Sequence, residues 1–138
     1  SRRGVVTDFA MEYVLPRLVG FERAFELLVR APRLSGEEAV SWGLAGRSVP
    51  AAEVLETALE IARDIAVNCA PVAVGLHKHL MWRGMDMSRS ELAAMESRAL
   101  NHTMTKPDAV EGGMAYFERR PPSWSGRISR DWPDWLDR

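Results

Sequence analysis

The chain has 138 residues, of which 46% are hydrophobic, enough for one domain with a buried core and no more than one. Its 18 basic and 19 acidic residues leave a net charge of −1, which gives no electrostatic case for nucleic acid or an anionic membrane as partner. One cysteine, Cys69, rules out an internal disulfide, and no apolar run is long enough for a membrane span. Cys69 has no histidine or base near it in sequence, so an inert, half-buried thiol in a reducing, cytoplasmic setting is expected. The chain begins at Ser1 with no leader pattern, which suggests a soluble product of processing or an excised fragment.

The first segment, Gly4 to Gly20, reads GVVTDFAMEYVLPRLVG. Asp8 stands at the mouth of an apolar run, Phe9 through Val19, whose only charges are Glu12 and Arg17 and which Pro16 interrupts. Asp8 suits the N-cap of a following helix. It also suits proton transfer, because burial at an apolar edge raises a carboxylic acid's pKa. Both roles can coexist. Gly20 to Val29 places Phe21, Ala24, Phe25, Leu28 and Val29 on one helical face, closed by Pro32. Ser35 and Glu38 form a capping box for a helix that ends at Gly43, a left-handed cap. LAGRSV then reads as short and extended.

Ala51 to Cys69 is a long amphipathic pattern with Val54, Ala58, Ile61, Ala62, Ile65 and Ala66 on one face. Pro71 breaks it, and a further helix over Val72 to Met81 is stopped by Gly84. Ser88 with Glu91 forms a second capping box for a helix to about His102. Pro107 and Asp108 start the last helix, which runs to Arg119 and is stopped by Pro121-Pro122. The tail from Ser123 is rich in Trp, Arg and Asp, without periodicity, and reads as extended. Its tryptophans fit packing against the body better than base stacking. His77 and His79 lie two apart on a helix, on opposite sides, so they cannot share a metal, and no metal site is expected. Gly112-Gly113 falls inside a helical pattern and is no phosphate loop. The expectation is a mainly α chain, divided at residues 1–50 and 51–138. The last three helices carry apolar faces, with Trp82, Met85, Met87 and Met95 near their turns, of an extent that marks an interface.

Gly4, Asp8, Leu15, Pro16, Arg17 and Gly20 fall on the pattern R-x-G-L-x-P-D-x-G-G-x-x-x-L-P-R-x-x-G of the crotonase superfamily, the enoyl-CoA hydratases and isomerases. The resemblance continues through LSGEEAVSWGLAGRSVP, through APVAV with Lys78, and into DAVEGGMAYFERRPPSW. It covers nearly the whole chain, in order. The resemblance implies the C-terminal helical portion of an α/β spiral fold, in which LAGRSV is a small strand and the C-terminal helices build a trimer or hexamer. It implies action on an acyl-CoA thioester through a stabilised enolate, with no cofactor beyond the CoA of the substrate. It also implies that the acyl-CoA groove and both oxyanion-hole N–H groups belong to an upstream half. A non-catalytic helical association module derived from the same fold is the alternative.

The resemblance makes Asp8 the candidate catalytic residue. Some members use a carboxylate at this position to move protons, as in dienoyl-CoA isomerases, or as a nucleophile, as in chlorobenzoyl-CoA dehalogenases. The two glutamates of the typical hydratase fall outside these residues. Ala10 and Met11 stand where the family often has Gly-Gly, so with Phe9 and Glu12 they border the acyl group. Glu12, four residues after Asp8, is a second carboxylate on the same helical face, or a solvated charge. For CoA, the resemblance points to Leu100 against the adenine and Arg119 against a phosphate, which a planar guanidinium suits. Arg119 is otherwise one charge of a solvated run.

Overall fold

The computed structural model describes residues 1–136, and among them the regular structure is helical, with no β-strand. Two compact units divide the chain, Ser1–Leu55 and Glu56 onward. In the first, α1 (Met11–Val19) runs through Pro16, although Pro16 has no N–H to give to the carbonyl of Glu12. The helix survives because only that bond is lost, while Tyr13 and Val14 already donate to the carbonyl of Ala10 at 2.9 and 3.0 Å. α2 (Phe21–Phe25) widens into a π turn over Glu26–Arg30. α1 packs against α2, and Ala24 is the buried residue between them.

Ser35 starts α3 (Gly36–Ser41) with both halves of the capping box. Its hydroxyl accepts the N–H of Glu38 at 3.1 Å, and its N–H donates to the Glu38 carboxylate at 2.7 Å. Gly43 follows in the left-handed conformation, φ 75°. The segment LAGRSV forms no strand among the described residues, contrary to expectation. A strand exists only as one side of a ladder, and no second strand is present to complete it.

A 3₁₀ turn, Ala51–Glu53, leads into α4 (Val54–Asn68), then α5 (Pro71–Gly84), α6 (Arg89–Met104), α7 (Pro107–Glu118) and α8 (Ile128–Asp131). The capping box at Ser88 closes as its sequence predicts, with the N–H of Ser88 donating to Glu91 at 2.8 Å. Val72, Leu76 and Leu80, spaced four apart along one face of α5, join Ala99 and Leu136 in the core of the second unit. Leu92, Met95, Trp132 and Trp135 pack around them.

The tail is therefore structural, and it is not extended throughout: α8 interrupts it, and Pro133 and Leu136 are buried. Large side chains at its end have apolar area to hide, and α5 offers the seat. Gly75 makes the close approach possible, since a Cβ there would sit 3.0 Å from the Trp132 ring and 3.1 Å from Ile128. Polar clasps fix the same path. Asp108 accepts the N–H of Ser125 at 2.8 Å and that of Gly126 at 3.1 Å, and the Trp124 indole donates to the carbonyl of Val67 at 3.0 Å. Arg120 forks onto Glu111 with contacts of 2.6 and 3.0 Å, and the N–H of Ser123 reaches the same carboxylate at 2.6 Å.

The Arg120 guanidinium first, and the N–H of Ser123 second, hold the Glu111 carboxyl down at about 2 against an ordinary 4.5. A carboxyl depressed in the folded state supplies its stability above its unfolded pKa and loses it as pH falls through the folded one. Tail docking, read by the fluorescence of Trp124, Trp132 and Trp135, is expected to hold from neutral pH to about 4.5 and to weaken between there and about 2. Asp131, lowered chiefly by Arg130, adds a step of the same sign. Glu111→Gln should shrink this acid step and loosen the tail at pH 7; an unchanged acid profile would show that Glu111 does not hold it.

Candidate active site

Thr7 to Glu12 forms a turn that feeds α1. Sequence reasoning allows Asp8 as its cap; the structure puts Ala10 there instead, at φ 54° and ψ 34°. Phe9 shares the left-handed conformation, at φ 55°. Two consecutive left-handed residues with side chains push Asp8 two positions back from the helix start, out of capping position. Its main-chain carbonyl accepts the N–H of Met11 at 3.3 Å, while its exposed carboxylate accepts no bond from the described residues. Phe9 beside it is 83% exposed. Met11 is half-buried.

Glu12 carries the hydrogen-bonded carboxylate of this turn. Its carboxylate accepts the Thr7 hydroxyl at 2.8 Å. Its own backbone N–H, then the Thr7 hydroxyl, then the Thr7 N–H hold it below the usual carboxylate range, so it is ionised at neutral pH. Thr7 is the residue that sequence reasoning missed; a short hydroxyl side chain shortly before a helix start was the available signal. Thr7 and Glu12 line one end of a groove of about 310 Å³ whose walls include Pro16, Phe21, Phe25 and Leu28. Its chemistry is an apolar slot with one fixed carboxylate at the mouth.

Leu100 and Arg119 belong to the second unit. Leu100, 60% exposed, lines a groove of about 540 Å³ between α5 and α6 whose walls include Leu76, Leu80, Met81 and Leu92. Arg119 lies off that groove, at the C-terminal end of α7, in the left-handed conformation at φ 53°. Among the described residues no three His, Cys, Asp or Glu side chains converge as a metal site, and no helix is long and apolar enough to cross a membrane. His77 lines the α5–α6 groove, whereas His79 meets Trp132 edge-on at 5.7 Å.

A helical set of this kind, entered through a carboxylate-bearing turn, defines the C-terminal portion of a crotonase-fold protein. The sequence profile of the enoyl-CoA hydratase/isomerase family matches residues 1–127, and the chain belongs to that family. An enoyl-CoA hydratase of Alternaria alternata is 38% identical over 122 residues, which are 88% of this chain and 41% of that protein. A carnitinyl-CoA dehydratase of Proteus mirabilis (strain HI4320) is 34% identical over 131 residues, 92% of this chain and 50% of the relative. The crystal structure of a probable enoyl-CoA hydratase/isomerase from Mycobacterium abscessus matches with a TM-score of 0.88 at 43% identity, over 91% of this chain and 49% of that one. The chain thus spans about half the length of its relatives, their C-terminal half.

The left-handed backbone at Ala10 is open to test. An L-residue there costs roughly 1–2 kcal/mol, and glycine gives back about half of the gain through its own chain entropy. Ala10→Gly should therefore raise the unfolding free energy by about 0.5–1 kcal/mol, measured as a shift of the denaturant midpoint. A fall in stability would mean that the turn is not left-handed at this residue.

Proposed function

We propose that this chain supplies the C-terminal half of an enzyme that acts on an acyl-CoA thioester through a stabilised enolate. The observation that carries this reading is the family match over residues 1–127, together with coverage of about half of each relative. Asp8 meets the reacting carbons as proton carrier or nucleophile. Phe9 and Met11 border the acyl group, and Glu12 shapes the turn from which they project. The backbone donors for the enolate oxygen come from the segment that corresponds to the other half of the relatives. Such donors act by being fixed in advance where the negative charge develops.

In this reading Leu100 packs on the adenine of CoA, and Arg119 meets its phosphates across a subunit boundary of a trimer or hexamer. Arg119 suits the role, since a guanidinium binds phosphate through two parallel N–H groups. No cofactor is needed beyond the CoA of the substrate, and the enzyme works in the cytoplasm.

The enzyme reading makes a paired prediction. The 138-residue chain alone should not hydrate crotonyl-CoA above a heat-killed control, because one missing oxyanion donor already costs about 10²–10³ in rate. In the complete enzyme, Asp8→Asn should leave stability unchanged and cut the rate by about 10²–10⁴. An undiminished rate would reduce Asp8 to a turn residue.

One observation favours the second reading, a helical association module: α4 contains no buried residue, and Leu55 on it is 71% exposed. Both readings expect these faces to be covered. Sedimentation at micromolar concentration should show self-association, and Ile61→Asp should reduce it; a sharply melting monomer would count against an interface. Turnover separates the two readings, since the module has none even as the complete natural product.

A further inference from the structure

The turn that feeds α1 carries two carboxylates, Asp8 and Glu12. A carboxylate that accepts several hydrogen bonds loses basicity and nucleophilicity together. In this turn the two are bonded differently. Glu12 takes the Thr7 hydroxyl at 2.8 Å and is held ionised by the N–H groups of Glu12 and Thr7. Asp8, displaced by the left-handed Phe9 and Ala10, accepts no bond among the described residues.

We infer that Glu12 is a positioning residue for Asp8: by accepting the Thr7 hydroxyl across the turn, it pins that turn and leaves the Asp8 carboxylate free for a substrate. The inference rests on Asp8 being the reacting carboxylate. It explains why the chain retains two left-handed residues with side chains at this point. Backbone of this kind persists only where the surroundings over-determine it, and the Thr7–Glu12 bond spans the whole strained turn.

The test reads the 138-residue chain by amide NMR. Acidification should move the Thr7 and Glu12 amides together, with a midpoint below 4.5. The groove is also lined by the Ser1 amino group, which donates to the carbonyl of Leu28 at 3.1 Å. Asp8→Asn should leave these amide curves in place, and Glu12→Gln should abolish them; the reverse pattern overturns the inference.

A double-mutant cycle supplies the readout that a merely structural glutamate would not move. In the parent chain Asp8→Ala should shift Tm by less than about 1 °C. After Glu12→Ala, Asp8 can swing onto the freed Thr7 hydroxyl, and removing it should then cost a further 4 °C or so, about one lost hydrogen bond. Strict additivity overturns the positioning role. In the complete enzyme Glu12→Ala should lower kcat by about 10- to 100-fold with little change in KM, and Glu12→Gln should recover most of the loss. A raised KM with kcat intact also overturns it. The failures are separable. An undiminished rate in Asp8→Asn defeats the assignment of Asp8 while the NMR curves still decide which carboxylate pins the turn. A rate loss in Asp8→Asn with an additive cycle defeats the role of Glu12 alone.

Discussion

Apolar side chain in excess of what the chain's own helices can cover is the constraint on which the rest depends. α4 has no buried residue, and the large hydrophobic side chains Phe9, Phe21, Tyr116 and Phe117 all stand in solvent. Among the described residues seven hydrophobic ones are buried outright, and three of these are alanines. A layered fold hides each helical stripe against another layer. Here the layer is half present, as expected of a chain that spans half of its relatives. The helices are specified locally, by caps and periodicity.

The second unit shows how a partial core is made sufficient. α5 carries Val72, Leu76 and Leu80 on a face that α6 covers only in part, and the tail supplies the remainder through Trp132, Trp135 and Leu136. Polar clasps do the aiming. Asp108 gathers two consecutive backbone N–H groups, and Glu111 joins Arg120 to Ser123. Surface ion pairs contribute little alone, but this one is bidentate and shares its carboxylate with a backbone donor, so it fixes direction more than it adds energy.

Much of this was legible in the sequence. Ser35 with Glu38 and Ser88 with Glu91 announced two helix starts, and proline and glycine marked most ends, because caps and breakers act within one turn of chain. The long pattern from Ala51 gave α4 for the same reason. The course of the tail was not legible: nothing periodic joins Trp132 to Gly75, and their contact depends on the fold of everything between them. LAGRSV was read as a strand by resemblance, and it failed for lack of a partner. At the candidate site the sequence offered Asp8 as a helix cap, and the structure puts Ala10 at that position instead. Local preference favours Asp before a helix; the left-handed Phe9–Ala10 pair, invisible to propensity, sets Asp8 back from the helix start, and the Thr7 hydroxyl goes to Glu12.

The burial of Pro133 and Leu136 has a consequence in time. Both lie far along the chain from α5, so the core of this unit closes well after α5 itself has been made. The Trp124 indole reaches back 57 positions to Val67, a contact that waits in the same way. Until Trp132 and Leu136 arrive, α5 presents Val72, Leu76 and Leu80 bare, the kind of transient apolar surface that chaperones engage. Helices of this unit can be made one after another, but its core is sealed only by the most distant of its contacts.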